Sequence, residues 1–320
     1  MARRAAGATL TVLLASSAAF LMVQGVPGDA ALMMAGTDAP PEVVEGLRKE
    51  LGLDAPVPAR LAAWLGRALT GDLGVSVRYH RPVGELLWQH FRVNLILVAL
   101  AVPLAAALAL GMGALAAVGA SGAAGWGAGG RLLKWEDRAL SWVMQLGLSV
   151  PSFWLAMILI WVAAVRLHAF PAVAPVGSGG LPGWRGFVLP ALALALPAGC
   201  AVGLVVRAAL AQALEEPYVQ AARGKGAGLA RVVWRHALVG ALNPVASSLG
   251  LLVAELLTGS LIVETVFGLP GVGRIMLAGV EFRDLALVSG GAAFAAVVVS
   301  FSSAVVDALY GLLDPRVQYR

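Results

Sequence analysis

Three acidic residues in apolar surroundings are the first candidates for chemistry in this chain. Glu255, Glu264 and Asp307 each lie in or beside a long apolar run. A carboxylate in a membrane is costly and often marks a solute pathway, so all three are channel or gating candidates. Glu255 could line a pore and meet a cationic group of a solute, or it could bond within a helix bundle or carry a proton. For Glu264 and Asp307 we expect a structural role.

Patterns typical of catalysis and metal binding are missing from the sequence. H-E-x-x-H and G-x-S-x-G do not occur, and the glycines around Lys225 lack the spacing of the G-x-x-x-x-G-K-[ST] phosphate loop. The four histidines are far apart, and Cys200 is the only cysteine, which excludes an intrachain disulfide. We therefore expect no catalytic residue, no metal site and no cofactor.

A polar connector at residues 214–238 separates two apolar runs. Pro217 suits the first turn of a helix, and Glu216 stands at the positive end of that helix. Ala221 and Ala222 leave a face poor in side chains, which the backbone of a partner could approach closely. The residues alone leave two interpretations open, a docking helix and an ordinary basic loop.

The composition indicates which elements position these residues. Hydrophobic residues make up 59% of the 320 residues and charged residues only 13%, whereas a soluble domain carries about 25% charged residues. Most of the surface must therefore face the lipid bilayer or other membrane helices. The net charge of +5 comes from basic residues scattered singly, so we expect no binding to nucleic acid.

Six apolar runs are long enough to cross about 30 Å of hydrocarbon. We predict an all-α polytopic membrane protein with six transmembrane helices and a small outer segment between the first two. The first run lacks an obvious cleavage site, so we expect a retained helix rather than a signal peptide. A further stretch, 167–184, is rich in proline and glycine and is predicted to be a loop. The runs are 5–28, 93–130, 139–165, 186–206, 236–254 and 285–306.

These runs divide the chain into a first transmembrane helix at 1–26, an outer segment at 27–92 and a five-helix core at 93–320. The outer segment carries seven basic and eight acidic residues, and its pattern predicts helices from Pro41 to Leu51 and from Pro58 to Leu69. The second of these helices places four apolar residues on one face, namely Leu61, Trp64, Leu65 and Ala68.

The basic residues predict the orientation in the membrane. If both termini are cytoplasmic, twelve basic residues of the termini and short connectors lie on the cytoplasmic side and four lie in the short outer loops. This asymmetry obeys the positive-inside rule, from which long translocated segments are largely exempt. We therefore expect both termini, and the connector 214–238, to be cytoplasmic.

The connector, with its stretch Tyr218-Val219-Gln220-Ala221-Ala222-Arg223-Gly224-Lys225-Gly226, resembles the "EAA" coupling loop of binding-protein-dependent importer permeases, specifically the dipeptide/oligopeptide/nickel family. Gln220, Ala221 and Gly224 depart from the usual form of that loop, which is close to Y-[VI]-R-T-A-R-A-K-G. Further stretches of the chain are similar to the family in order and spacing. They are residues 26–29, 51–54, 71–76, 81–83, 263–273 and 313–316.

The resemblance implies a permease subunit of an ATP-binding-cassette importer in the bacterial inner membrane. Such a subunit pairs with a second homologous permease, two cytoplasmic ATPase subunits and an extracytoplasmic substrate-binding protein, so ATP hydrolysis is expected on separate chains. Peptides, nickel chelates and other small solutes stay open as substrates, and the alternative function is an ion-gradient-driven secondary transporter. The residues implied in contact with the ATPase are Glu216, Tyr218, Ala221, Ala222, Arg223, Lys225 and Gly226.

Overall fold

The computed structural model describes residues 2–25, 30–35, 39–50, 52–120, 130–174 and 181–313. Within these ranges the chain is helical apart from turns, irregular stretches and isolated bridge residues, which include an antiparallel bridge between Val75 and Pro82. The α-helices are α1 Ala2–Gly25, α2 Ala30–Ala35, α3 Pro41–Glu50, α4 Val57–Leu69, α5 Val83–Ala120, α6 Gly130–Ser149, α7 Ser152–Leu159, α8 Arg185–Glu215, α9 Pro217–Gly224, α10 Leu229–Arg231, α11 Leu238–Gly259, α12 Leu261–Phe267, α13 Val272–Glu281 and α14 Leu285–Leu313. Two π-helical turns, Ile160–Arg166 and Val232–Ala237, follow α7 and α10.

Four helical stretches of the described chain are long and apolar enough to cross a membrane by themselves. They are Val83–Ala120, Arg185–Glu215, Leu229–Leu257 and Leu285–Val305. Two bent pairs of helices meet the same criteria only when the two helices of each pair are counted together. These pairs are Asp137–Ser149 with Ser152–Arg166, and Leu261–Phe267 with Val272–Glu281. Thr9–Gln24 is a shorter apolar helix. The all-α polytopic fold class is confirmed, with four candidate spans in the described chain, or up to six if each broken pair counts as one. These six include the pair Leu261–Phe267 with Val272–Glu281, which was not a predicted span, and they do not include the predicted first run 5–28.

The predicted span over 139–165 is not one continuous helix. The helix breaks after Ser149, and the axes of the two halves differ by 96°. Pro151 is the physical reason, because it cannot donate a backbone hydrogen bond and it disfavours helical geometry at Val150. The apolar run continues through the break, so hydropathy alone does not reveal it.

Two predicted span boundaries also differ from the helices. Helix α5 begins at Val83, ten residues before the predicted span at 93, and it carries Glu85 and Arg92 in its first turns. Helix α8 continues past 206 to Glu215 and therefore includes Arg207. Charged residues limit the apolar run, but they do not interrupt the backbone hydrogen bonds that define a helix.

The chain forms two compact units, and the first comprises residues 1–94 and 270–301. Its apolar cluster is centred on Phe20, Trp64 and Ala293, with the rings of Phe20 and Trp64 6.2 Å apart. Leu61, Leu65 and Ala68 of α4 pack against the same cluster, which confirms the predicted apolar face of that helix.

The second unit comprises residues 95–269 and 302–320, of which 121–129, 175–180 and 314–320 lie outside the described residues. In this unit α5 and α6 pack closely on α8. A Cβ atom placed on Gly113 would lie 2.7 Å from the carbonyl oxygen of Gly203 and 2.7 Å from the Val206 side chain. Small residues at helix interfaces allow such close backbone approach in membranes.

Candidate functional site: the coupling helix and the membrane carboxylates

The connector 214–238 folds into a short separate helix because α8 stops before it. Glu216 has an extended backbone (φ −65°, ψ 141°), and Pro217 follows at the first position of α9. Proline fits the first helical turn, where its missing N–H group would have no intrahelical acceptor. The predicted helix start at Pro217 is therefore confirmed.

The other end of α9 is defined by Gly226. Its φ of 82° is left-handed, and its N–H group donates to the carbonyl of Arg223 at 2.9 Å. The N–H group of Ala227 donates to the carbonyl of Ala222 at 3.3 Å. This pair of bonds is the Schellman motif that commonly ends helices, and its left-handed position favours glycine.

Three side chains hold α9 against the helices on either side of the connector. Val219 is buried, with 2% of its surface exposed. The side-chain amide of Gln220 donates to the carbonyl of Leu214, at the end of α8, at 2.8 Å. The phenol of Tyr218 lies so close to α11 that a Cβ atom on Gly240 would be 2.5 Å from its oxygen. Helix α9 is therefore tied to both α8 and α11.

The rest of α9 faces outward. Glu216, Tyr218, Ala221, Lys225 and Gly226 are exposed, whereas Ala222 and Arg223 are half-buried. The structure thus gathers the seven residues of the predicted coupling set onto one short helix and its two ends. The alanine face, with Ala221 exposed and Ala222 half-buried, can accept a closely approaching partner, because these two residues carry no long side chain that would have to be displaced.

An ion pair that the sequence analysis did not identify links α6 to α8. The guanidinium of Arg207 donates two hydrogen bonds to the carboxylate of Asp137, at 2.5 Å and 2.9 Å. Ser141 donates a third bond to the same carboxylate at 3.3 Å. Arg207 lies about two turns before the end of α8, so the pair connects the helix that leads into α9 with its neighbour α6. No local pattern signals it, since the partners are 70 residues apart.

Glu255 lies in α11 and lines a cavity of about 430 Å³ within the second unit. The other walls come from the break between α6 and α7 and from α8 around Pro197. Glu255 is exposed in the isolated chain. The role of Glu255 in a channel therefore stays a prediction, and the structure adds the observation that Glu255 lines a cavity.

Glu264 belongs to the separate helix α12 rather than to the end of the preceding span. It is fully buried, and its carboxylate accepts a hydrogen bond from the Ser260 hydroxyl at 2.6 Å. Its backbone carbonyl accepts the N–H group of Leu269 at 2.8 Å, across a left-handed Gly268 with φ 66°. Glu264 thus participates in the turn that follows α12. Asp307 falls in α14, but its side chain lies outside the described residues.

Asp284 is a buried acid that the sequence analysis missed. Its carboxylate accepts hydrogen bonds from the Ser76 hydroxyl at 2.5 Å, from the Arg78 backbone at 3.1 Å and from the Leu287 backbone at 3.0 Å. The last of these bonds caps the start of α14. The available signal was an aspartate directly before an apolar run, which is typical of a helix N-cap.

Two of the family-like stretches, 71–76 and 81–83, bond to each other. The N–H group of Ser76 donates to the carbonyl of Arg81 at 2.9 Å, and the N–H group of Val83 donates to the carbonyl of Gly74 at 2.9 Å. Gly71 and Gly74 have left-handed backbones, with φ of 88° and 90°. The two stretches therefore form one hairpin-like turn that leads into α5.

Two family models cover most of the chain. Residues 121–319 match the model described as "Binding-protein-dependent transport system inner membrane component", and residues 1–94 match that of the N-terminal part of such a membrane component. The chain belongs to this family. It is an inner membrane permease of binding-protein-dependent ABC transport systems, and this result favours the ATP-driven importer over the ion-gradient-driven alternative.

Full-length relatives agree with the family. A peptide transport system permease protein of Brucella abortus (strain 2308) is 33% identical over 319 residues, which is 99% of this chain and 98% of the relative. The glutathione transport system permease protein of Escherichia coli (strain K12) is 32% identical over 318 residues, with the same coverage of both chains. Membership of the family implies ATPase and substrate-binding protein subunits as partners of this permease.

Proposed function

We propose that this permease moves peptides or peptide-like solutes across the bacterial inner membrane, and that α9 is the helix gripped by the ATPase. The observation that carries the proposal is the alanine face of α9, with Ala221 exposed and Ala222 half-buried, on a helix that contacts both α8 and α11. The names of the relatives support the solute class, since they describe peptide and glutathione permeases and glutathione is itself a tripeptide.

The proposed assembly contains this chain, a second homologous permease, two ATPase subunits and an extracytoplasmic binding protein. ATP is hydrolysed on the ATPase subunits. When the ATPase subunits close, they push α9, and the hydrogen bond from Gln220 to Leu214 helps to pass that movement to α8, which moves as a rigid body. ATP drives the change only because it binds more tightly to the closed state than to the open state.

The test of coupling is co-purification of the ATPase subunits with variants of α9. Ala222→Asp places a charge in the alanine face, and Gly226→Asp also strains the left-handed end of the helix. We expect both variants to insert in the membrane and to lose the ATPase. Ala63→Asp, an exposed helical alanine in α4, is the matched control and should retain it. Full ATPase recovery with both α9 variants would refute the assignment.

The proposed orientation places α9 in the cytoplasm and the segment 27–92 outside. In a Cys200→Ala background, we expect a cysteine introduced by Lys225→Cys to resist a membrane-impermeant maleimide in spheroplasts. A cysteine introduced by Arg67→Cys, at an exposed position of α4, should react readily. The reverse pattern of labelling would overturn the orientation.

The solute class is tested by uptake into proteoliposomes that contain the complete importer and its binding protein. We expect accumulation of glutathione or of a simple tripeptide such as trialanine with ATP, and no accumulation with ADP. Accumulation of neither compound, by a complex whose ATPase responds to its binding protein, would contradict the proposed peptide-like class.

A further inference from the structure

The cavity beside Glu255 has walls from three parts of the second unit. Leu148 and Ser152 lie on either side of the break between α6 and α7, Leu194 and Pro197 belong to α8, and Ser248 accompanies Glu255 on α11. Its volume of about 430 Å³ falls within the range of small-molecule sites in proteins, which is roughly 300–1,000 Å³.

The lining of this cavity is aliphatic except at a few points. Leucine, alanine, valine and proline side chains make most of the wall, and Ser152 and Ser248 add hydroxyl groups. Among the described residues that line the cavity, Glu255 is the one with a charge. A site of this kind suits a ligand with an apolar body and one polar head.

The sign of the charge selects the head group. A cation that enters the cavity can form a charge-assisted hydrogen bond with the Glu255 carboxylate, which is stronger than a hydrogen bond between neutral groups. An anion would be repelled, and a neutral alkyl chain would remove water from the carboxylate without replacing its hydrogen bonds. Charge complementarity therefore favours an ammonium or guanidinium group.

The backbone beside the cavity is interrupted in two of its walls. Pro151 separates α6 from α7, and Pro197 lies within α8, where it removes one backbone hydrogen bond of the helix. Pro197 itself lines the cavity, and Pro151 directly precedes Ser152, which also lines it. Such breaks allow the walls to shift relative to one another, as a site that must first bind and then release a passing solute requires.

We propose that the Glu255 cavity is a transient binding site for a cationic group on an apolar stem, such as an alkylammonium, carried by the solute during its passage. The inference rests on the proposed function, because it narrows the solute class from peptide-like compounds in general to peptide-like compounds that carry such a cationic group. The carboxylate of Glu255 contacts the cation, and the leucine, alanine and valine side chains cover the stem.

The first experiment measures binding without transport. The complete importer in lipid nanodiscs is titrated calorimetrically with hexylammonium, and with hexanol as the neutral counterpart. We expect Glu255→Gln to weaken hexylammonium binding by about tenfold or more, since it removes a charge-assisted hydrogen bond and keeps the side-chain shape. Hexanol binding should not weaken in Glu255→Gln, because the neutral amide is less costly to desolvate than the carboxylate.

Two neighbouring serines of α11 provide a matched pair of controls. Ser248 lines the cavity, whereas Ser247 is not among its lining residues, and both hydroxyls donate to the backbone carbonyl four residues earlier at 2.9 Å. Ser248→Leu should fill part of the cavity and abolish hexylammonium binding, while Ser247→Leu should leave it unchanged. Equal hexylammonium affinities of the unaltered protein and Glu255→Gln, or equal losses in the two serine variants, would overturn the proposal.

The second experiment compares ATP-dependent uptake of two peptides that differ in one cationic group. Ala-Lys-Ala carries a side-chain ammonium, and Ala-norleucine-Ala has a similar stem without it. We expect Glu255→Gln to lower uptake of the lysine peptide about tenfold and that of the norleucine peptide less than twofold. Equal effects on the two peptides would refute the site while leaving the peptide function standing. If the importer moves neither peptide but hexylammonium binding depends on Glu255, the peptide function fails and the cationic site stands.

Discussion

Each of the two compact units of this permease is stabilised internally by a different kind of interaction. In the first unit, buried polar side chains bond to the backbone: Asp284 accepts from the backbone of Arg78 and Leu287, and Asn94 accepts from the backbone of Val272 at 2.9 Å. In the second unit, the helices pack through small residues such as Gly113 and Gly203.

The difference follows from the backbone of each unit. The first unit contains turns between short helices, and buried N–H groups in such turns need acceptors from side chains. The long helices of the second unit satisfy the hydrogen bonds of their own backbone groups. The helices are therefore held to one another mainly by close packing of small residues. Removing a buried polar acceptor such as Asp284 should therefore destabilise the first unit, and adding a methyl group at a close helix contact such as Gly113 should destabilise the second.

The largest effect is expected from Asp284→Ala. The substitution leaves the Ser76 hydroxyl and two backbone N–H groups without their acceptor in a buried site, and each such loss costs about 1–3 kcal/mol. We expect a marked fall in the thermal unfolding temperature of the purified chain, followed by tryptophan fluorescence. Asp72→Ala, which removes an exposed acceptor of the Gly74 N–H group, should change that temperature little. Similar shifts in the two variants would remove the distinction between buried and exposed acceptors.

A smaller but clear effect is expected from Gly113→Ala. Its methyl group would lie 2.7 Å from a backbone oxygen of α8, so α5 and α8 must separate, and overpacking of this kind costs about 1–3 kcal/mol. Gly111→Ala, in the same helix with no atom within 4 Å of the added methyl group, should be neutral or slightly stabilising. The same unfolding measurement checks both variants, and a stable Gly113→Ala would contradict close packing as the basis of the second unit.

The smallest effect is expected from breaking the ion pair between Asp137 of α6 and Arg207 of α8. Because 14% of the Asp137 side chain and 30% of the Arg207 side chain are exposed, water screens the pair, and we expect a coupling energy of only about 1 kcal/mol. A double-mutant cycle with Asp137→Asn and Arg207→Gln measures it. A coupling well above that value would place the second unit closer to the polar pattern of the first.

Much of the site was predictable because its signals are local. Pro217 and Gly226 mark the two ends of α9 by their own backbone preferences, and the alanine face follows from the residues between them. The apolar face of α4 was likewise predictable from its helical spacing. Gln220 shows the limit of such reasoning, because its bond to Leu214 is visible only once α9 has turned back on α8.

By itself, the sequence determined the apolar runs, the family-like connector and the acids placed among apolar residues, since hydropathy and helix-end preferences depend on near neighbours. Tertiary structure alone decided the angle of 96° at the Pro151 break and the contact of Ser76 with Asp284, 208 residues later. It also placed Glu255 beside the walls of α8 and the α6–α7 break. Contacts between distant residues leave no periodic trace in the chain, because only the packing of the helices brings those residues together.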